Sequence, residues 1–148
     1  MRAALTTVQG RPLIGVISSI GVRRDPKSAY PLITKLRHPD AQVVSAAAIA
    51  LGHIGGDSAA RALEIALAET SGATRSAIAE GCILCAERWR AEGQAAKAMA
   101  LYDTVRKADV PQQRVAEATR GAILARGSDG TALLLEQLRS PDKAVYSI

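Results

Sequence analysis

The chain has no phenylalanine, and aromatic residues fill only 3% of its 148 positions. That scarcity argues against an aromatic-rich β-sandwich. There are two cysteines, Cys82 and Cys85, three residues apart. They cannot build the disulfide framework of a small secreted domain, so a reducing cytoplasm is the expected compartment. The opening MRAALTTVQGRPLIGVISS lacks the unbroken apolar core of a signal peptide, because Gln9, Arg11 and Pro12 interrupt it. No run approaches the roughly 18 apolar residues that span a bilayer, so no membrane contact is expected. Also missing are G-x-S-x-G, a P-loop and G-x-G-x-x-G. Asp25, Asp57, Asp109 and Asp129 fall where helix N-caps belong rather than in acid–base pairs. These absences predict a protein that is not an enzyme and has no cofactor and no metal. An excess of 19 Lys and Arg over 14 Asp and Glu gives a net charge of +5, which fits a solvated, Arg-rich helical surface.

What is present is Ala, Leu, Ile and Val, within a hydrophobic content of 48%, and a repeat. The frame L-R-x-P-D-x-x-V at Leu36–Val43 recurs 102 residues later at Leu138–Val145, about three periods of a repeat of roughly 30–40 residues. Sliding the chain by 31 residues lays Ile20-Gly21 on Leu51-Gly52, Ala29 on Ala60, Leu32 on Leu63 and Leu36 on Leu67. A slide of 40 lays Gly81-Cys82-Ile83-Leu84 on Gly121-Ala122-Ile123-Leu124. Within each unit the apolar spacing is that of one α-helical stripe, which cannot be buried without neighbours.

Each unit therefore reads as a helix pair. First helices are predicted near 11–22, 41–54, 74–91 and 112–126, and second helices near 26–37, 58–69, 94–107 and 130–139. The units run roughly 11–38, 39–70, 73–108 and 111–140 within one domain, 1–148. Residues 141–148 begin a further helix, and residues 1–10 read as a remnant. No polar cap closes either end, so end-to-end self-association, or membership of a longer array, is expected. The third unit is stretched through ERWRAEGQ, and its long first helix is expected to stand above the stack, with Trp89 covering its open end.

The stretch Val43–Gly55, VVSAAAIALGHIG, with the helix through Leu67, resembles a HEAT repeat. More narrowly, it is similar to the short bacterial type known from phycobilisome lyases. Gly93, Ala98, Tyr102 and Pro111 resemble half of a tetratricopeptide repeat instead. The resemblance implies an all-α fold, a right-handed α-solenoid of about four helix pairs. It further implies a curved platform for a protein partner, lined on its concave face by second helices. Subtracting the apolar stripe leaves Tyr30, Thr34, Lys35, Arg61, Glu64, Ile65, Met99, Asp103 and Glu136 facing outward there. Tyr, Met and Arg are frequent interface anchors.

Other chemistry carried by this architecture is weaker here. Cys82 and Cys85 lie in mid-helix, where they read as small core residues rather than a redox or zinc pair. His38 and His53 are not followed by Glu, so the metal ligands of the HEAT-like deoxyhypusine hydroxylases are missing. Arg23, Arg24, Arg88, Arg90 and Arg126 are expected along the edge carrying the turns inside each pair, where Arg-rich HEAT-like stacks grip phosphates. With one Trp and no Asp beside it, however, nucleic acid is not the expected partner. The leading expectation is a non-catalytic protein-interaction scaffold, the repeat module of a larger bacterial protein. The alternatives are an accessory subunit of a phycobilisome-lyase-like enzyme and a basic nucleic-acid-binding module.

Overall fold

A computed structural model describes residues 2–127 together with Leu135, Glu136, Leu138 and Arg139. These residues form α-helices and no strand. A short helix α1 (Ala4–Thr7) precedes α2 (Arg11–Arg23), α3 (Ala29–Lys35), α4 (Ala41–Ile54), α5 (Asp57–Glu69), α6 (Gly72–Ala91), α7 (Ala95–Lys107) and α8 (Gln112–Arg126). The even-numbered helices are the first members of the pairs. The fold is an all-helical stack of the HEAT-like solenoid type.

Local chemistry sets the boundaries. The Asp40 carboxylate accepts the Gln42 N–H at 2.9 Å and caps α4. Gly55 and Gly56, at φ 73° and 91°, end α4 and start α5. Asp25 accepts the Lys27 N–H at 3.1 Å, but what it caps differs from expectation. Instead of one helix over 26–37, a 3₁₀ turn spans Pro26–Ser28 and α3 begins afresh at Ala29. Pro31 explains the break. Inside a helix begun at residue 26 it would lack the N–H for the residue 27 carbonyl and clash with it, whereas at the third position of α3 its missing donor costs nothing.

Four further expectations are corrected. Residues 1–10 are not a bare remnant, because Leu5 of α1 is 1% exposed and joins the core. Asp57 is the first residue of α5 rather than its cap, and there its charge suits the positive end of the helix dipole. Asp109 pairs with Arg75 at 3.7 Å, and Pro111 takes the cap position of α8. Asp129 and the further helix at 141–148 lie outside the described residues, as does most of the expected helix 130–139. Leu138, expected on an inward stripe, stands 56% exposed.

The first helices are the packed spine. In α4, Val43, Val44, Ala47, Ala48, Ala50, Leu51, Gly52 and Ile54 are all buried, as befits a helix surrounded on most sides. Small residues let the spine close up. A methyl group on Gly21 would lie 2.9 Å from Ala50 Cα, and one on Gly52 would lie 2.6 Å from the Gly81 carbonyl oxygen. One on Gly81 would strike the Ala48 carbonyl, and one on Gly121 the Tyr102 ring. The glycine column found by sliding the sequence is thus the column of closest approach between neighbouring helices.

The second helices fit differently. Leu32, Leu63, Leu101 and Val105 are buried toward the spine, each worth about 1.5–3 kcal/mol relative to exposure. Successive second helices meet only lightly, so grooves remain between them. α8 departs from the pattern by packing chiefly on α7 and less on α6. The long α6 is tied down rather than free. Arg88 donates from Nη1 to the His53 carbonyl at the end of α4 (3.1 Å) and from Nε to Glu92 (3.0 Å). Trp89 is buried, with the Lys97 ammonium 5.5 Å above its ring and held by Asp57 at 2.8 Å.

Candidate protein-binding surface

Between α3 and α5 runs an open groove of about 470 Å³. Its floor is Ile33, Leu36, Ala62, Ile65 and Ala66, and its polar edge is Thr34, Arg37, Glu69 and Thr70. Arg37 and Glu69 meet across it at 3.4 Å, both well exposed. Ile65 is 48% exposed, an apolar surface with no side chain of the described chain over it. Tyr30 and Arg61 stand four residues before Thr34 and Ile65, on the same helical faces. Both are exposed, and they extend the two walls of the groove.

Of the predicted residues the structure thus brings Thr34 and Ile65 to one groove, with Tyr30 and Arg61 exposed one helical turn before them. Glu64 belongs to a second groove of about 420 Å³ between α5 and α7, with Leu67, Ala68, Arg75, Thr104 and Lys107. There its carboxylate accepts a hydrogen bond from Thr104 Oγ1 at 3.3 Å. Lys35 is half-buried on the opposite flank of α3 from Ile33, and Met99 is half-buried on α7; neither lines these grooves. Asp103 is held by two guanidinium groups, Arg106 at 2.9 Å and Arg126 at 2.6 Å, which fastens α8 to α7. Glu136 is exposed.

The arginines do not share one cavity. Arg24 and Arg88 line a cavity of about 390 Å³ beside Glu87 and Glu92. Arg90 lines another of about 160 Å³ with Arg120, Tyr102 and Glu117. Arg126 turns away to Asp103. Sequence reading missed Arg114, which donates to Glu80 at 3.0 Å and Glu117 at 2.8 Å. It also missed Arg75, whose Nε donates to the Thr70 carbonyl at 2.5 Å. Pairs such as Arg37–Glu69, Arg75–Asp109 and Arg114–Glu80 lie 32 to 34 residues apart. That separation is close to one repeat period, so the pattern was a usable signal for unit-to-unit ties.

Burial and hydrogen bonding shift the titration of four described groups. Both thiols are buried, and burial pushes that of Cys85 up to about 12 and that of Cys82 higher still. Such thiols are protonated and inert at neutral pH. Burial also raises the Tyr102 phenol. The Ser28 hydroxyl, donating to Asp25 at 2.8 Å, holds that carboxyl below the usual range against the opposing effect of burial. His38 Nδ1 accepts the Asp40 N–H at 3.0 Å, a loop contact. Among the described residues, no three His, Cys, Asp or Glu side chains converge to hold a metal ion, and no helix is long and apolar enough to cross a membrane.

Residues 13–82 match the family model of HEAT repeats. No curated protein and no solved structure matches the chain significantly. HEAT repeats serve generally as protein-interaction scaffolds and are typically non-catalytic. The matched span covers α2 through the middle of α6, including the groove between α3 and α5. The chain thus carries HEAT repeats over residues 13–82, and its helix pairs and glycine-mediated spine have the form of such repeats.

Proposed function

We propose that the chain is a non-catalytic scaffold, a single module of helix pairs that holds a protein partner in the groove between α3 and α5. The observation that carries this reading is the apolar floor of that groove, with Ile65 48% exposed and Tyr30 77% exposed beside it. Aliphatic side chains held open on rigid helices offer a partner apolar area at little cost in ordering. The polar edge of Thr34, Arg37, Glu69 and Thr70 supplies hydrogen-bonding and charged groups of the kind that rim interfaces.

The test is capture and reconstitution. The wild-type protein and the I65E variant are used to retain proteins from cells that express the chain, and each retained protein is then purified and titrated directly. The reading expects a purified partner whose affinity falls by roughly tenfold or more in I65E, while far-UV circular dichroism stays unchanged. Equal binding by both forms would refute the groove as the contact surface.

A further inference from the structure

Charge is distributed very unevenly along this chain. Counting side chains alone, residues 1–38 hold seven of the 19 cations and one of the 14 carboxylates, a net of +6. The remaining residues hold twelve cations and thirteen carboxylates, a net of −1. The basic character of the protein therefore resides in residues 1–38, whose last helix, α3, forms one wall of the groove. Within that span Arg2 meets Asp25 at 3.6 Å and Arg37 meets Glu69 of α5. Arg11, Arg23, Arg24, Lys27 and Lys35 form no ion pair among the described residues.

Apolar exposure coincides with this charge. Val22 is 79% exposed and Tyr30 77%, the two most exposed large apolar side chains described. They bracket Arg23, Arg24 and Lys27 within one turn, Val22 to Tyr30. The one carboxylate of that turn, Asp25, is engaged by Ser28, by the Lys27 N–H and by Arg2. It offers little repulsion to an incoming anion, and of the two carboxylates that share a cavity with Arg24, Glu92 is paired with Arg88 while Glu87 restricts how far an anion enters there. Arg24 is held at φ 52°, the one described non-glycine residue with positive φ, so the turn has a defined shape.

We infer that the partner segment is an acidic stretch of protein carrying apolar side chains, bound across the α2–α3 turn and into the groove. This rests on the scaffold reading and adds the chemistry of the occupant. Opposite charge steers encounter and fixes orientation, while Tyr30, Val22 and Ile65 supply the area that holds the complex. A nucleic acid backbone satisfies the guanidinium groups but leaves Val22 and Tyr30 in water. An acidic, apolar peptide covers both kinds of group.

The test uses the full chain against a displayed library of random peptides, with a fluorescent DNA duplex and phosphatidylserine vesicles as parallel probes. The inference expects enriched peptides rich in Asp or Glu together with Leu, Ile or aromatic residues. Their affinity should fall by roughly tenfold or more in the double variant R23E/R24E and in Y30A, and should weaken as salt rises. All three positions are exposed, so folding is preserved, and thermal melting of each variant confirms it. Enrichment of neutral or basic peptides, no enrichment at all, or acidic peptides indifferent to R23E/R24E would overturn the inference. So would binding of DNA or vesicles in place of peptides. The scaffold reading fails separately: if the natural partner is lost in I65E but kept in R23E/R24E, the groove stands and only its acidic occupant falls.

Discussion

Replacing Gly81 by alanine tests the spine most sharply, because two effects of opposite sign meet at one methyl group. In a helix interior alanine is favoured over glycine by about 1 kcal/mol. At Gly81, however, the new Cβ would strike the Ala48 carbonyl oxygen and lie 2.9 Å from its carbon, with Leu63 Cδ2 at 3.1 Å. The obstruction is backbone, so no rotamer relieves it and α4 and α6 must separate. Overpacking costs about 1–3 kcal/mol, and a backbone obstruction belongs at the upper end of that range. The net expectation is a loss of ~2 kcal/mol, a fall in Tm of about 4–8 °C for a domain of this size. Gly15 provides the control. It is exposed within α2 and has nothing within 4 Å of a Cβ, so G15A should gain up to about 1 kcal/mol from helix propensity alone. Urea and thermal unfolding followed by far-UV circular dichroism measure both. If G81A proves as stable as the wild type, the reasoning about close helix contact is refuted.

Three other outcomes follow from the same structure. Cys82 and Cys85 should resist an aromatic disulfide reagent at neutral pH until the protein is unfolded, because both are fully buried and their thiols are pushed up by burial; labelling at the rate of a free thiol would contradict this. Tyr102 Oη is buried and makes no well-formed hydrogen bond among the described residues, with the Arg90 guanidinium its one polar neighbour there, so Y102F should be neutral or stabilising by up to about 1 kcal/mol in urea unfolding. A loss of that size instead would show the hydroxyl to be bonded. The Asp25 carboxyl titrates below its ordinary value, so its stabilising effect is complete above the unfolded-state pKa and disappears as pH falls through the lower folded value. In acid, S28A and the wild type should therefore converge in stability, and a gap that persists at low pH would count against the Ser28–Asp25 bond.

The fold was largely legible because repetition makes a weak signal strong. Leu32, Leu63 and their columns recur at helical spacing, and the first-helix boundaries of α4, α6 and α8 agree with the sequence to within two residues. The glycine column was visible as well, although its reason, contact with Ala50 and Ala48, lies in three dimensions. The interrupted helix before Ala29 could have been anticipated from Pro31, since the conflict with the residue 27 carbonyl is local. The turn of α8 onto α7 could not. It depends on the Tyr102 ring lying against Gly121 and on Asp103 gripping Arg126, partners 19 and 23 residues apart with no repeat to link them.

The surface was less legible for a related reason. An outward position is found by subtracting the inward stripe, which says where a side chain does not go but not what it meets. Asp103, Glu64 and Ile65 are all outward by that rule. One is clasped by arginines, one bonds Thr104, and one lines an open apolar groove. The neighbour that each side chain faces separates these cases: α8 for Asp103, α7 for Glu64 and the open gap beside α3 for Ile65.

The most direct test of the account is hydrogen–deuterium exchange of the protein with and without its purified partner. The scaffold reading predicts protection concentrated in residues 29–37 and 57–70, the two walls of the groove. Protection confined to the first helices, or spread evenly over the chain, would contradict it.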